Sequence, residues 1–368
     1  MLRAVDLSLG DPGYGPPEQA VAAGARAILR GVGGYAPPGG LRKLRAAVAA
    51  KLQERNGIRA EADEVVVTTG ASLGLFASLA TLCRPGDRVL LPDPCFPLYR
   101  RMVATLRLEA VPYPLVAADR HAPDWDALQA LARGARVLVW NYPSNPLGAV
   151  ARRAWLERLF AVMAGAPDLT LVSDEVYEAL VFDGAHVSPA AWAGELRDRV
   201  LSVFSFSKSH GMTGWRVGYV HAPGALAGAV AMSHWGVSMS TPTTAQIAAL
   251  AALGAPATYL EERRALLLAN RDEAVARLRG AGVACEVPAA GFFLWGDIGR
   301  FGLDAEAFSE RCAAEAGTLV SPGTDFSPVA RDRVRLSFAL DRERLLEGLA
   351  RLHAWTGALA ARAGGRAV

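Results

Sequence analysis

The chain reads as an α/β protein: a mainly parallel sheet between helices, joined to a smaller α+β domain built from both chain termini. Three observations predict this. Short apolar, β-branched runs at 65–68, 88–91, 137–140, 169–173 and 200–206 alternate with longer helical patterns, as βα units do. The runs are followed by small, polar or proline-rich turn residues. After residue 280 the pattern changes to strand-like pieces at 283–287, 292–297 and 334–338, set between helices at 304–316 and 341–362. The expected division is an arm and part of the small domain over 1–40, the large domain over 41–270 and the small domain over 271–368.

A length of 368 residues suffices for two domains with a large core. Composition (52% hydrophobic, 20% charged, formal net charge +3) is that of a soluble globular enzyme. The 39 basic residues are scattered without interleaved aromatics, which argues against a nucleic-acid partner. Cys83, Cys95, Cys285 and Cys312 form no C-x-x-C pair and no metal-like spacing, so no metal site is expected. They read as small buried thiols in a reducing compartment. The first residues lack a cationic segment followed by an apolar one, and no apolar run approaches the roughly eighteen residues of a membrane span. The expected location is the cytoplasm, with no membrane partner.

In chain order, the Pro/Gly runs Gly10–Pro17 and Gly31–Gly40 are turn chemistry around a short helix, Glu18–Arg30. Tyr35, between glycines and prolines, is a poor core residue and a fair contact residue. Leu41, Leu44, Val48 and Leu52 mark one face of a helix ending at Gly57. Strand Val65–Thr68, the turn Thr69–Ser72 and a helix from Leu73 to Leu82 follow; the small-residue turn offers free N–H groups to an anion, though most such turns bind nothing. Prolines 92, 94 and 97 hold the next loop away from regular structure and present Phe96, a ring that can equally plug the core. Asn141–Gly148 (NYPSNPLG) is a turn after strand Val137–Trp140. Asp174 follows a largely apolar strand, a costly place for a carboxylate unless it meets positive charge. Glu175 is expected to face another way. Residues His234–Pro242 read as a loop leading into a helix capped by Thr244. Arg335, among strand residues, is either a carboxylate clamp or a solvent-facing edge residue.

Lys208 lies just past a buried-strand pattern, among Ser205, Ser207 and Ser209, with Arg216 eight residues on. Burial penalises an ammonium, and a neutral amine attacks carbonyls. The hydroxyls and Arg216 are phosphate donors. An amine for an aldehyde beside donors for a phosphate describes a pyridoxal-phosphate site.

The stretch SFSKSHGMTGWRVGY, Ser205–Tyr219, resembles the cofactor-lysine signature of class I/II aminotransferases, the fold-type I pyridoxal-phosphate enzymes of the aspartate aminotransferase superfamily. Tyr35–Arg45, the turn at Ala71 and Ser72, the NYPSNPLG loop, Asp174 with Tyr177, and Arg335 extend the likeness over nearly the whole chain; Leu147 departs from it where threonine is common. The resemblance implies that Lys208 forms the Schiff base and moves the substrate proton. It pairs Asp174 with the pyridine nitrogen, and Asn145 and Tyr177 with the phenolic oxygen, and stacks Phe96 on the ring. Ser205, Arg216, Ala71 and Ser72 would hold the phosphate, together with Tyr35 from the neighbouring subunit of a homodimer. Arg335 would hold the substrate carboxylate; Gly10, Tyr14 and Asn145 complete the substrate side. The expected reaction moves an amino group between an amino acid and a 2-oxo acid. Dicarboxylate-specific relatives carry a second arginine in the stretch matching Trp235–Thr241; here it holds Trp235, Val237 and Met239, so a neutral or aromatic donor is expected. A β-lyase or biosynthetic synthase on the same scaffold is the alternative.

Overall fold

A computed structural model describes residues 4–364; the first three residues of the expected arm and the last four of the expected small domain lie outside the described residues. Fourteen strands run in chain order among the described residues. They are β1 (Val5–Asp6), β2 (Val65–Thr68), β3 (Arg88–Asp93), β4 (Glu109–Val116), β5 (Ala122–Pro123), β6 (Ala135–Asn141), β7 (Thr170–Asp174), β8 (Val200–Ser205), β9 (Gly218–His221), β10 (Ala284–Cys285), β11 (Phe293–Asp297), β12 (Thr318–Leu319), β13 (Ser321–Pro322) and β14 (Arg333–Ser337). The helices are α1 (Glu18–Leu29), α2 (Arg42–Asn56), α3 (Gly70–Leu82), α4 (Pro97–Thr105), α5 (Trp125–Ala132), α6 (Arg153–Ala164), α7 (Phe206–Ser209), α8 (Ala225–Ser238), α9 (Thr243–Leu253), α10 (Ala257–Gly280), α11 (Ala305–Arg311) and α12 (Arg342–Gly364).

Eight strands form one sheet in the order β2-β9-β8-β7-β6-β3-β4-β5. The five central ones, β8, β7, β6, β3 and β4, are parallel, and β9 and β5 run against their neighbours. Continuous burial along β2, β7 and β8 is what a sheet covered on both faces requires. One face packs against α2, α5, α6 and α9, the other against α3, α4 and α8. A separate antiparallel sheet, β10-β11-β14-β13, packs with α10, α11 and α12, and its core takes in Val5 and Leu7 from the arm. Strand β1 pairs in parallel with β12, so both ends of the chain enter the small core.

The structure corrects several local expectations. Helix α3 begins at Gly70, three residues early, so Ala71 and Ser72 lie in its first turn. Of the prolines near Phe96 only Pro94 lies in the connection, which is short instead of a long loop: Pro92 sits inside β3, and Pro97 opens α4, where a missing N–H costs nothing. Helix α8 continues through His234 to Ser238, because packing against α3 outweighs the weak helix preference of its glycines and serines. Helix α9 begins after Pro242, leaving Thr244 inside it without a capping bond. The strand expected over Val283–Val287 shrinks to Ala284–Cys285.

Candidate active site

The parallel strands end on one edge of the large sheet, where α/β proteins place ligands because loops there diverge from a common line of strand termini. A cavity of about 420 Å³ lies along that edge. Ala71 and Ser72 reach it from beyond β2, Phe96 from β3, Asn145 from β6, Asp174 and Tyr177 from β7, and Ser205 and Lys208 from β8. Arg216 leads into β9, and Arg335 comes from β14 of the small sheet.

Lys208 stands in α7, one turn whose start is fixed by the Ser205 hydroxyl accepting from the Ser207 N–H at 3.0 Å. Its Nζ donates to the Gly10 carbonyl, and its own carbonyl accepts from the Tyr14 hydroxyl at 2.6 Å. Burial, opposed by Asp11 and reinforced by Arg216 and Arg335, brings the Lys208 ammonium down to a pKa of about 8. Asp174, 3% exposed, ends β7. Its Oδ2 accepts from the Tyr99 hydroxyl at 2.6 Å and its Oδ1 from the Val176 N–H at 3.3 Å. Burial pushes its carboxyl up to about 6 against the pull of those two bonds.

Arg335 is 6% exposed, so the sheet-edge alternative is excluded. Its guanidinium lies over the rings of Phe293 (4.0 Å) and Phe326 (4.6 Å) and donates to Asn145 Oδ1 at 3.1 Å and to the Ser8 carbonyl. Its Nε is buried without a partner, and burial lowers its pKa to about 10. At the opposite end, Gly70 has φ +73°, and a Cβ there would collide with the Arg216 guanidinium. Arg216, itself at φ +54°, thus lies over the N-terminus of α3, where helix N–H groups and positive dipole favour an anion. A Cβ at Gly218 would likewise strike the Ala71 amide.

The family model for class I and II aminotransferases matches residues 3–352. The chain belongs to the class I and II aminotransferases. Its curated relatives include an arginine–pyruvate transaminase of Pseudomonas aeruginosa, 36% identical over 94% of this chain and 88% of that protein. A valine–pyruvate aminotransferase of Mycobacterium tuberculosis is 35% identical over 95% of this chain and 90% of its own length. Among solved structures, an aspartate aminotransferase of Thermus thermophilus with maleate superposes with a TM-score of 0.90 at 33% identity, covering 96% of this chain and 91% of that one. An aromatic aminotransferase of Pyrococcus horikoshii superposes with a TM-score of 0.91 at 31% identity, covering 96% of both chains.

This aminotransferase is therefore a pyridoxal-phosphate enzyme. The cavity's chemistry fits that cofactor. An amine of lowered basicity is present for the aldehyde, a buried carboxylate for the ring nitrogen, and a guanidinium over a helix N-terminus for the phosphate. Arg335 brings a buried, unpartnered Nε to the same space.

Five expected residues stand apart. Tyr35 is 82% exposed and does not line its own chain's cavity. Tyr14 touches the Lys208 backbone from outside the lining, whereas Gly10 lies in it. Trp235, Val237 and Met239 are partly exposed on α8 and its C-terminal end, and none lines this cavity. Glu175 does turn away, to His186 (2.7 Å) and Ser188. Tyr99, Asn141, Asp11 and Thr213 line the cavity without having been singled out. Pro97 at the start of α4 was the available signal for Tyr99, since it places that residue in the helix's first turn.

Proposed function

We propose that this aminotransferase transfers the amino group of a neutral or aromatic amino acid to a 2-oxo acid, with Lys208 as the residue that carries the cofactor and moves the substrate proton. The observation that carries the reading is the meeting of the Lys208 amine and the Asp174 carboxylate in one cavity with Arg216 and Arg335. When bound, pyridoxal phosphate supplies a ring that accepts the electrons released at the substrate's Cα. Arg216, the amides of Ala71 and Ser72 and the Ser205 hydroxyl would hold its phosphate. Phe96 would pack on its ring, Asp174 would keep a proton on the ring nitrogen, and Asn145 and Tyr177 would bond its phenolic oxygen.

Lys208, neutral more readily than an exposed lysine, would be the amine that holds the cofactor's aldehyde and the base that takes the substrate's Cα proton and returns it. Arg335 holds the α-carboxylate and so fixes which Cα bond faces Lys208. Its fixed partners, Asn145 and the two phenyl rings, make that orientation rigid.

Among the described lining residues Arg216 and Arg335 are the guanidinium groups, and both have roles in this reading. The remaining walls include Leu9, Leu75, Phe96 and Phe293, which suits an uncharged side chain. Pyruvate is the first acceptor to test, because two relatives are named for it. A homodimer is supported by Tyr35, Leu29 and Ile28, which are large apolar residues exposed on one chain. A cytoplasmic location is supported by the four free cysteines.

The test is reconstitution with pyridoxal phosphate. Wild type should show the near-visible band of the lysine-bound cofactor and lose it on adding phenylalanine or methionine, faster than on adding aspartate. Lys208→Ala should lack the band; its retention would remove Lys208 from the role, and a strong aspartate preference would overturn the substrate class.

A further inference from the structure

Helix α4 carries two rings in one turn. Phe96, at its N-terminal boundary, faces the cavity, and Tyr99 packs beneath with ring centroids 5.6 Å apart at 85°. Tyr99 is 2% exposed and aims its hydroxyl at the Asp174 carboxylate. No lysine, arginine or histidine stands within ion-pair distance of Asp174 among the described residues. A buried carboxylate without an ion pair depends on its hydrogen bonds to stay charged. Asp174 has two, and the one from Tyr99 is by far the shorter.

We infer that Tyr99 is a positioning residue for the cofactor: its hydroxyl keeps Asp174 ionised and turned toward the ring nitrogen. The phenol suits this because burial and the neighbouring carboxylate raise its own pKa well above the ordinary value, so the proton stays on oxygen and the bond has one direction. Pro97 fixes the start of α4, so one short helix sets the ring wall and the donor together. The inference rests on the reading that Asp174 faces the ring nitrogen.

The experiment compares wild type, Tyr99→Phe, Asp174→Asn and the double variant, each reconstituted with pyridoxal phosphate. It measures cofactor dissociation constants and the pH midpoint of the lysine-bound cofactor's absorbance band. Loss of one charge-assisted bond should weaken cofactor binding about tenfold in Tyr99→Phe. The midpoint should move upward, toward that of Asp174→Asn, because a ring nitrogen that loses its proton no longer opposes protonation of the lysine linkage. In the Asp174→Asn background, Tyr99→Phe should change neither quantity. Equal losses in both backgrounds would mean that the ring merely packs, and an unchanged Tyr99→Phe beside an altered Asp174→Asn would overturn the inference while leaving the cofactor reading intact. An Asp174→Asn enzyme identical to wild type would instead sink that reading. If Tyr99→Phe fails to fold, 3-fluorotyrosine at position 99, isosteric and more acidic, carries the test: a downward midpoint shift supports the role and no shift refutes it.

Discussion

The Arg216 guanidinium occupies the space that a side chain at Gly70 would fill. That replacement is what lets a cation approach the first amides of α3, and it explains a glycine at φ +73° immediately before the turn. Gly70→Ala should therefore act twice. The left-handed backbone costs about 1 kcal/mol for alanine, and the displaced guanidinium leaves the phosphate site. The melting temperature of the apoprotein should fall by a few degrees. The dissociation constant for pyridoxal phosphate should rise at least about tenfold, a change of roughly 1.4 kcal/mol. Equilibrium dialysis measures it, and inorganic phosphate competition should weaken in parallel.

Arg335 offers a second test, because its plane is fixed by Phe293, Phe326 and Asn145. Lysine keeps the charge but supplies neither a flat face nor a two-pronged donor. Arg335→Lys should raise KM for the amino donor on the order of a hundredfold, as loss of a bidentate buried clamp does, with a smaller fall in kcat. The absorbance spectrum of the cofactor-loaded enzyme should be unchanged. A normal KM would take the α-carboxylate away from Arg335.

Much of this arrangement was legible in the sequence, for identifiable reasons. Asp174 ends an apolar strand, and Lys208 and Asn145 lie within about one turn of the end of another, so their place on the sheet's edge follows from strand order alone. Arg335 was ambiguous because an edge arginine and a buried one look alike until the packing of Phe293 and Phe326 is known. Tyr99 was missed because its value lies in a contact with a residue seventy-five positions away, which no local pattern reports. The end of helix α8, from His234 to Ser238, reads as a loop in the sequence because Gly236 and Ser238 favour one, while what holds it helical is tertiary, including His234 Nε2 accepting from the Thr69 N–H at 3.0 Å.

The titration of the cavity makes a third prediction. The folded pKa of Asp174, about 6, lies above its ordinary 3.8, so folding favours its protonated form: its stabilising share is complete at low pH and lost as pH rises through 6. Lys208 falls from 10.5 to about 8, so its share is complete at high pH and lost as pH drops through 8. Between pH 6 and 8 the apoprotein thus holds both charges at a cost of roughly 1–3 kcal/mol each. Asp174→Asn should raise the apoprotein's melting temperature at pH 7 and leave it unchanged near pH 4, and Lys208→Met should raise it at pH 7 and not at pH 10. Melting curves across that range check both, and flat differences would show that the charges are not strained by burial.

The exposure of Tyr35 makes the last prediction, since a residue that reaches a neighbour's cavity has no contact to make within its own chain. In a homodimer each complete site would need Lys208 from one subunit and Tyr35 from the other. Tyr35→Ala should weaken pyridoxal phosphate about tenfold through loss of a hydrogen bond to a charged group, and Lys208→Ala should be inactive. Mixing the two variants under conditions that exchange subunits should restore activity, because the mixed dimer contains one site with both native residues. Titrating Lys208→Ala into Tyr35→Ala at cofactor concentrations below the variant's dissociation constant should give activity that rises and then falls. Activity that only declines with added Lys208→Ala would show that residue 35 serves its own chain, or no site at all.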